Sequence, residues 1–208
     1  MADLQELGAA HRRNGQRFQK RKHHGHGNRD TELEKEFADL EEVWLAEKLI
    51  EINPWAHMVR FARSGGEANA IAIRIARAAS GKDGVAICGY HGWHDWYLSV
   101  NHNEGDGLAS NLLPGLDPAG VPKNLKNTVH PFRYNNFEEL EKIVKENEIG
   151  VIKMEVVRNF GPENNFLKNV RQLATEKGIV LVFDECTSGF RETFGGICKK
   201  YDVEPDLT

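Results

Sequence analysis

The apolar run 179–183 leads straight into Asp184 and Glu185 ("IVLVFDE"). An ionised carboxylate at the end of so apolar a segment resists leaving water unless a cation or several hydrogen-bond donors meet it. The plainest partner is a nearby arginine; a bound cationic ligand is the other. Far upstream, Ser64, Gly65 and Gly66 open the Ala/Ile-rich stretch "SGGEANAIAIRIARAA". The free N–H groups of a turn before a helix, with the helix dipole behind them, can hold an anion, and glycine lets it come close. The same turn is also an ordinary structural device. Tyr90, in "CGYHGWHDW", offers an aromatic face on which a planar ring could stack, or a simple rim aromatic. Taken together, the three features ask for a ligand with an anionic group, a flat ring and a cationic atom.

The elements that must position these residues follow from periodicity. Leu33, Phe37, Leu40 and Trp44, then Leu45, Leu49 and Ile52, recur at helical spacing and Pro54 closes them, which predicts one helix or two abutting ones. "MVRFARS" (58–64) reads as a short strand. Ala68, Ile71, Ile75 and Ala79 share a helix face that Gly81 ends, and "GVAICGY" (84–90) reads as a second strand. A polar, Gly/Pro-rich stretch from about Asn101 to Lys126 is long enough for a functional loop. "NTVHPFRY" is a weaker strand, demoted by Pro131. Asn135 and Asn136 can cap a helix carrying Phe137, Leu140, Ile143 and Val144. "GVIKMEVV" (150–157) is the fourth strand. Phe166, Val170, Leu173 and Ala174 mark a helix ended by Gly178, and "IVLVFDE" is the fifth strand. Strands that alternate with helices and are apolar on both faces predict an α/β fold of three layers, a mainly parallel sheet with helices on both faces. Ligands of such sheets sit beyond the carboxyl ends of the strands. Ser64, Tyr90, Glu155, Asp184 and Glu185 all fall at or near those exits.

Composition narrows the function classes. With 208 residues, 40% of them hydrophobic, the chain can bury a real core. No apolar run approaches the ~20 residues of a membrane span, and a cytoplasmic protein is expected. Cys88, Cys186 and Cys198 have no C-x-x-C spacing and are expected as reduced thiols. A net charge of −4 gives no reason to expect nucleic acid as a partner. The exception is "GAAHRRNGQRFQKRKHHGHGNR" (8–29), with seven Lys or Arg, four His and no acid. Residues 1–40 are accordingly expected to be a partly disordered basic segment, with residues 41–208 as the ligand-binding domain.

Pyridoxal 5'-phosphate carries all three required features. "SGGEA", "YHGWHD" and "FDECTSGFR", in this order and at these separations, resemble the class III pyridoxal-phosphate aminotransferases, closest to their glutamate-1-semialdehyde aminomutase-like branch. The resemblance covers roughly Glu41 to Thr208 and implies a partial fold-type I large domain. It further implies amino-group transfer or migration between a small-molecule donor and acceptor, and a homodimer. Carried over residue by residue, it implies that Ser64, Gly65 and Gly66 grip the cofactor phosphate and that Tyr90 stacks on its ring, with His91 in the same cofactor-binding set. Asp184, the catalytic residue, would pair with the protonated ring nitrogen and keep the ring an electron sink. Cys186 would pack on the other ring face, and Glu155 and Glu185 would support from behind.

The family's N-terminal "DGNxYIDF"-like stretch has no counterpart in residues 1–40, and its Schiff-base lysine would follow "EPDLT", where this chain stops. A truncated enzyme domain is therefore expected, with a catalytically inactive binding or interaction module as the alternative. By the same topology, the strand at 58–64 would lie beyond two strands that follow residue 208. Lys153 shares a strand face with Glu155 and is expected in an ion pair. No metal is expected; the competing arrangement, a metal hydrolase, would use His91, His94, Asp95 and Glu185.

Overall fold

In a computed structural model the described residues are 29–103, 116–157 and 159–208. The basic segment up to Asn28, with its histidines, and residues 104–115 of the long polar stretch lie outside them. The chain divides into two compact units, Met1–Val59 and Arg60–Thr208.

In the first unit the helical periodicity gives one continuous helix, α1 (Arg29–Ile52). Asn53 ends it, with both its backbone N–H and its side-chain amide donating to the Leu49 carbonyl.

In the second unit α2 (Gly65–Ser80) starts at Ser64, whose hydroxyl accepts from the Glu67 N–H at 3.3 Å. Glu67 answers with its carboxylate, which accepts from the Arg63 N–H at 2.8 Å. The pair satisfies N–H groups that the helix itself cannot. Gly81 closes α2 at φ +69°, a backbone setting that glycine adopts without strain. Then follow β1 (Gly84–Cys88), a one-turn helix α3 (Asp95–Leu98) running into a 3-10 turn (Ser99–His102), β2 (Val129–Pro131), α4 (Phe137–Glu146), β3 (Ile149–Glu155), α5 (Phe166–Lys177) and β4 (Val180–Asp184). Asn136 caps α4 by accepting from the Glu139 N–H, while Asn135 accepts from Glu163 instead.

The four strands are all parallel, in the order β2-β1-β3-β4. Pro131 sits on edge strand β2, where its missing N–H costs least. Side chains alternate between faces. Val85 and Ile87 of β1, Val151 of β3 and Val182 of β4 join Ile73, Ala76, Trp96, Tyr97 and Val100 in one buried cluster beneath α2 and α3. α4 and α5 pack on each other and reach β1 and β4, respectively. Right-handed crossovers put them on the face opposite α2, where Leu140, Leu167 and Val170 are buried. Helices thus cover both faces, as the sequence predicts.

The expected strand at 58–64 does not form. Residues 56–62 have no regular structure, and no described strand pairs with them. A strand exists only through its ladder, and the sheet's edges are taken by β2 and β4. Beside β4 lies instead the extended pair Asp206–Leu207: the Phe183 N–H donates to Leu207 and the Leu207 N–H to Leu181.

The strand order also fixes where a ligand fits. The chain leaves β1 toward β2 and leaves β3 toward β4, in opposite directions, so a crevice opens between the carboxyl ends of β1 and β3.

Candidate active site

Three segments meet at that crevice: residues 89–94 after β1, Glu155 ending β3, and Asp184–Cys186 ending β4. Asp184 and Glu155 occupy register-matched positions on neighbouring strands, and both are buried, at 7% and 5% exposure. Two buried carboxylates side by side need donors, and each has them. Asp184 Oδ2 lies 2.9 Å from His91 Nδ1 and 3.6 Å from Lys153 Nζ, while Oδ1 accepts from the Cys186 N–H at 3.1 Å. Glu155 accepts from the Tyr90 N–H at 3.1 Å and from the Thr187 hydroxyl at 3.4 Å.

These contacts set the charges. Burial by itself would raise the Asp184 pKa. The His91 hydrogen bond, the Lys153 charge and the Cys186 N–H more than reverse that and hold the carboxyl well below the usual range. Burial lowers His91 to about 4 against the pull of Asp184, with the Lys153 charge adding to the effect. The ring is then neutral at pH 7. Both ring nitrogens face acceptors and a neutral ring can donate to only one; its proton belongs on Nδ1, opposite the charged carboxylate at 2.9 Å, and Nε2, 3.2 Å from the Cys88 carbonyl, then makes no hydrogen bond to it. Lys153, also buried, is lowered to about 8 by desolvation, with Asp184 and Glu155 resisting the loss of its proton.

Glycine is required at two of the places where the segments touch, Gly89 and Gly66. Gly89 has φ +114°, and a Cβ there would fall 2.5 Å from Glu155 Oε2. Across the crevice, a Cβ on Gly66 would fall 2.6 Å from the His94 ring, and one on Gly65 would sit 3.5 Å from Cys186 Sγ. The turn before α2 therefore lies against both the 91–94 and the 184–186 segments. Tyr90 is 39% exposed, its ring edge-on to buried Tyr97. Beside the turn is a cavity of about 380 Å³ lined by Arg60, Arg63, Glu67, Ile71 and His94 among others.

Ser64, Gly65, Gly66, Tyr90, His91, Glu155, Asp184 and Cys186 thus form one contiguous patch. Glu185 departs from it: its carboxylate accepts from the Ser188 hydroxyl and the Ile197 and Cys198 N–H groups, fixing the loop after β4. Among the described residues no arginine pairs with Asp184; histidine, lysine and a backbone N–H take that place. Lys153 is in an ion pair as expected, but with Asp184. The metal arrangement is not assembled: His91 is committed to Asp184, His94 lies against Gly66, Asp95 is exposed and Glu185 is engaged elsewhere. Sequence reasoning missed the Lys153–Asp184 contact, although period-two alternation signals it. Lys153 is in register with Val182, two residues before Asp184 on the same face.

Comparison with known proteins covers most of the chain. Residues 30–208 match the family described as Aminotransferase class-III. A 3-aminobutyryl-CoA aminotransferase of Cloacimonas acidaminovorans (strain Evry) is 34% identical over 172 residues, covering 79% of this chain and 37% of that protein. Among solved structures, an omega-transaminase from Sphaerobacter thermophilus superposes with a TM-score of 0.67 at 29% identity, over 88% of this chain and 46% of its own. A transaminase with PLP bound superposes with a TM-score of 0.66 at 27% identity, over 79% of this chain and 39% of its own. The chain therefore spans less than half the length of these relatives. With a family match over residues 30–208 and superposition on solved transaminases, the chain belongs to the class III aminotransferases, a family whose cofactor is pyridoxal 5'-phosphate.

Proposed function

We propose that residues 41–208 form the cofactor-binding domain of a class III aminotransferase that transfers or migrates an amino group between small-molecule partners. The observation that carries this reading is Asp184: a buried, ionised carboxylate at a strand's carboxyl end, paired on Oδ2 with His91 and Lys153 and, among the described residues, with no arginine. Its Oδ1 accepts one N–H, from Cys186, and a carboxylate oxygen can take a second donor, so the donor set fits a protonated ring nitrogen. Bound there, the cofactor would supply an electron-withdrawing ring to a substrate carbon that loses its proton.

The chain's own residues would do the rest. Asp184 keeps the ring nitrogen protonated, and His91 fixes the carboxylate through Nδ1–H. Glu155 holds the Tyr90 backbone so that the half-exposed ring can stack. The first N–H groups of α2, at Gly65 and Gly66, would hold the phosphate, with Cys186 beside Gly65 on the remaining side. The aminomutase-like branch and the homodimer belong to the same proposal and rest on the three motifs; a cytoplasmic location is proposed with them from the apolar pattern of the sequence.

Titration with pyridoxal 5'-phosphate and pyridoxamine 5'-phosphate tests it. A saturable absorption change in the wild-type chain, lost in Asp184→Ala, is expected. The absence of any response to either form, or an unchanged response in Asp184→Ala, would reject the cofactor site and favour a binding or interaction module.

A further inference from the structure

Lys153 is misplaced by every rule of core packing. It lies in the middle of β3, a strand buried along its whole length, between Ile152 and Met154 and in register with Ile87 and Val182. At 1% exposure its ammonium has left water entirely, and an apolar side chain would pack there at less cost. The aliphatic stem runs between those apolar neighbours, and Nζ reaches 3.6 Å from Asp184 Oδ2, the oxygen that also faces His91 Nδ1. Asp184 therefore already has one cation.

We propose that Lys153 is a positioning residue, the counter-ion of Asp184 in the cofactor-free chain, and that it gives up its proton to solvent when a cationic ring takes the other oxygen of the same carboxylate. This rests on the reading of Asp184 as the ring-nitrogen partner. Without a ligand, Lys153 offsets part of the charge of two adjacent buried carboxylates, Asp184 and Glu155. With a ring cation on Oδ1, two cations face the Asp184 carboxylate at once, while Glu155 is turned to the Tyr90 N–H and the Thr187 hydroxyl, in surroundings that screen the two cations poorly. The ring gains its full attraction only if the ammonium becomes neutral. Besides those two acids, Cys186 acts on the Lys153 charge, and His91, itself affected by Lys153, stays neutral above pH 7. Lys153 is lowered to about 8, so the proton is available near neutral pH. The consequence is a cofactor site that tightens as pH rises from 7 to 9, through a residue that touches no part of the cofactor.

Pyridoxamine 5'-phosphate is the probe, since it binds without a lysine adduct. Its Kd is measured at pH 7 and pH 9 on the full chain and on Lys153→Met, Lys153→Arg and Asp184→Ala. Titration of the ligand is common to the variants and cancels in ratios. Wild type should bind about tenfold more weakly than Lys153→Met at pH 7 and equally at pH 9. Lys153→Arg, a permanent cation, should bind more weakly at both. Asp184-dependent binding with a wild-type-to-Met ratio that pH does not change would overturn the inference while leaving the cofactor reading intact. Binding that does not depend on Asp184 would overturn both. If circular dichroism shows Lys153→Met unfolded, wild type against Lys153→Arg decides: the gap must widen as pH rises.

Discussion

The carboxyl ends of β3 and β4 and the turn before α2 stand on opposite sides of one crevice and are built in different ways. At the strand ends the chemistry is carried by side chains, buried and held by the sheet: Asp184 by His91, Lys153 and Cys186, Glu155 by Tyr90 and Thr187. At the turn it is carried by backbone. Ser64 and Glu67 spend their side chains on capping, and Gly65 and Gly66 have none. His94, against Gly66, has a buried Nδ1 without a partner among the described residues. Burial fixes charge and direction at the first site at a high desolvation cost. The second stays close to water, costs little, and gains strength only when an anion arrives. A ligand with a cationic ring at one end and a phosphate at the other would meet both designs.

If the strand-end site depends on the sheet's geometry, the largest damage should come from disturbing its backbone. Gly89→Ala would force a Cβ into a positive-φ position and against the Glu155 carboxylate, whose bond to the Tyr90 N–H would be lost. Strain and the broken bond together should cost about 3 kcal/mol, read as a lowered urea midpoint. A loss below about 1 kcal/mol would mean that Glu155 moves freely and the site is less rigid than described.

The fold was legible where one residue signals one physical event. Ser64, Glu67 and Gly81 delimit α2 because capping is local, and Asp184 marks the end of β4 because an acid cannot continue an apolar strand. "MVRFARS" misled because its composition permits an extended chain but says nothing about a neighbour to pair with. The partners of Asp184 were hidden for a related reason. His91 lies in the segment after β1 and Lys153 on β3, and only the strand order β1-β3-β4 brings them within reach. Of the candidate site, the residue types were readable, whereas the pairing that sets their charges was not.

That pairing gives the next test. Unfolded, His91 takes a proton near 6.5; folded, it resists until about 4. Between those values the unfolded state binds more protons, so stability falls as pH is lowered. The loss between pH 6.5 and pH 5 should be about 1.5 kcal/mol. His91→Asn keeps an amide donor toward Asp184 without a titrating ring. It should flatten this slope relative to wild type in urea melts at the two pH values. Equal slopes would place the ring proton in the folded state already and reverse the assignment of a neutral His91.

The turn should show a smaller and simpler response. Ser64→Ala removes the acceptor for the Glu67 N–H and leaves Glu67 to cap alone through Arg63, a loss of about 1 kcal/mol in unfolding free energy. Because that hydroxyl is occupied by the helix, affinity for pyridoxamine 5'-phosphate should change by less than about threefold, a cap's worth of local fraying. A much larger drop in affinity with unchanged stability would show the hydroxyl itself reaching the phosphate. The turn would then be a side-chain site like the strand ends, and the contrast between the two halves of the crevice would disappear.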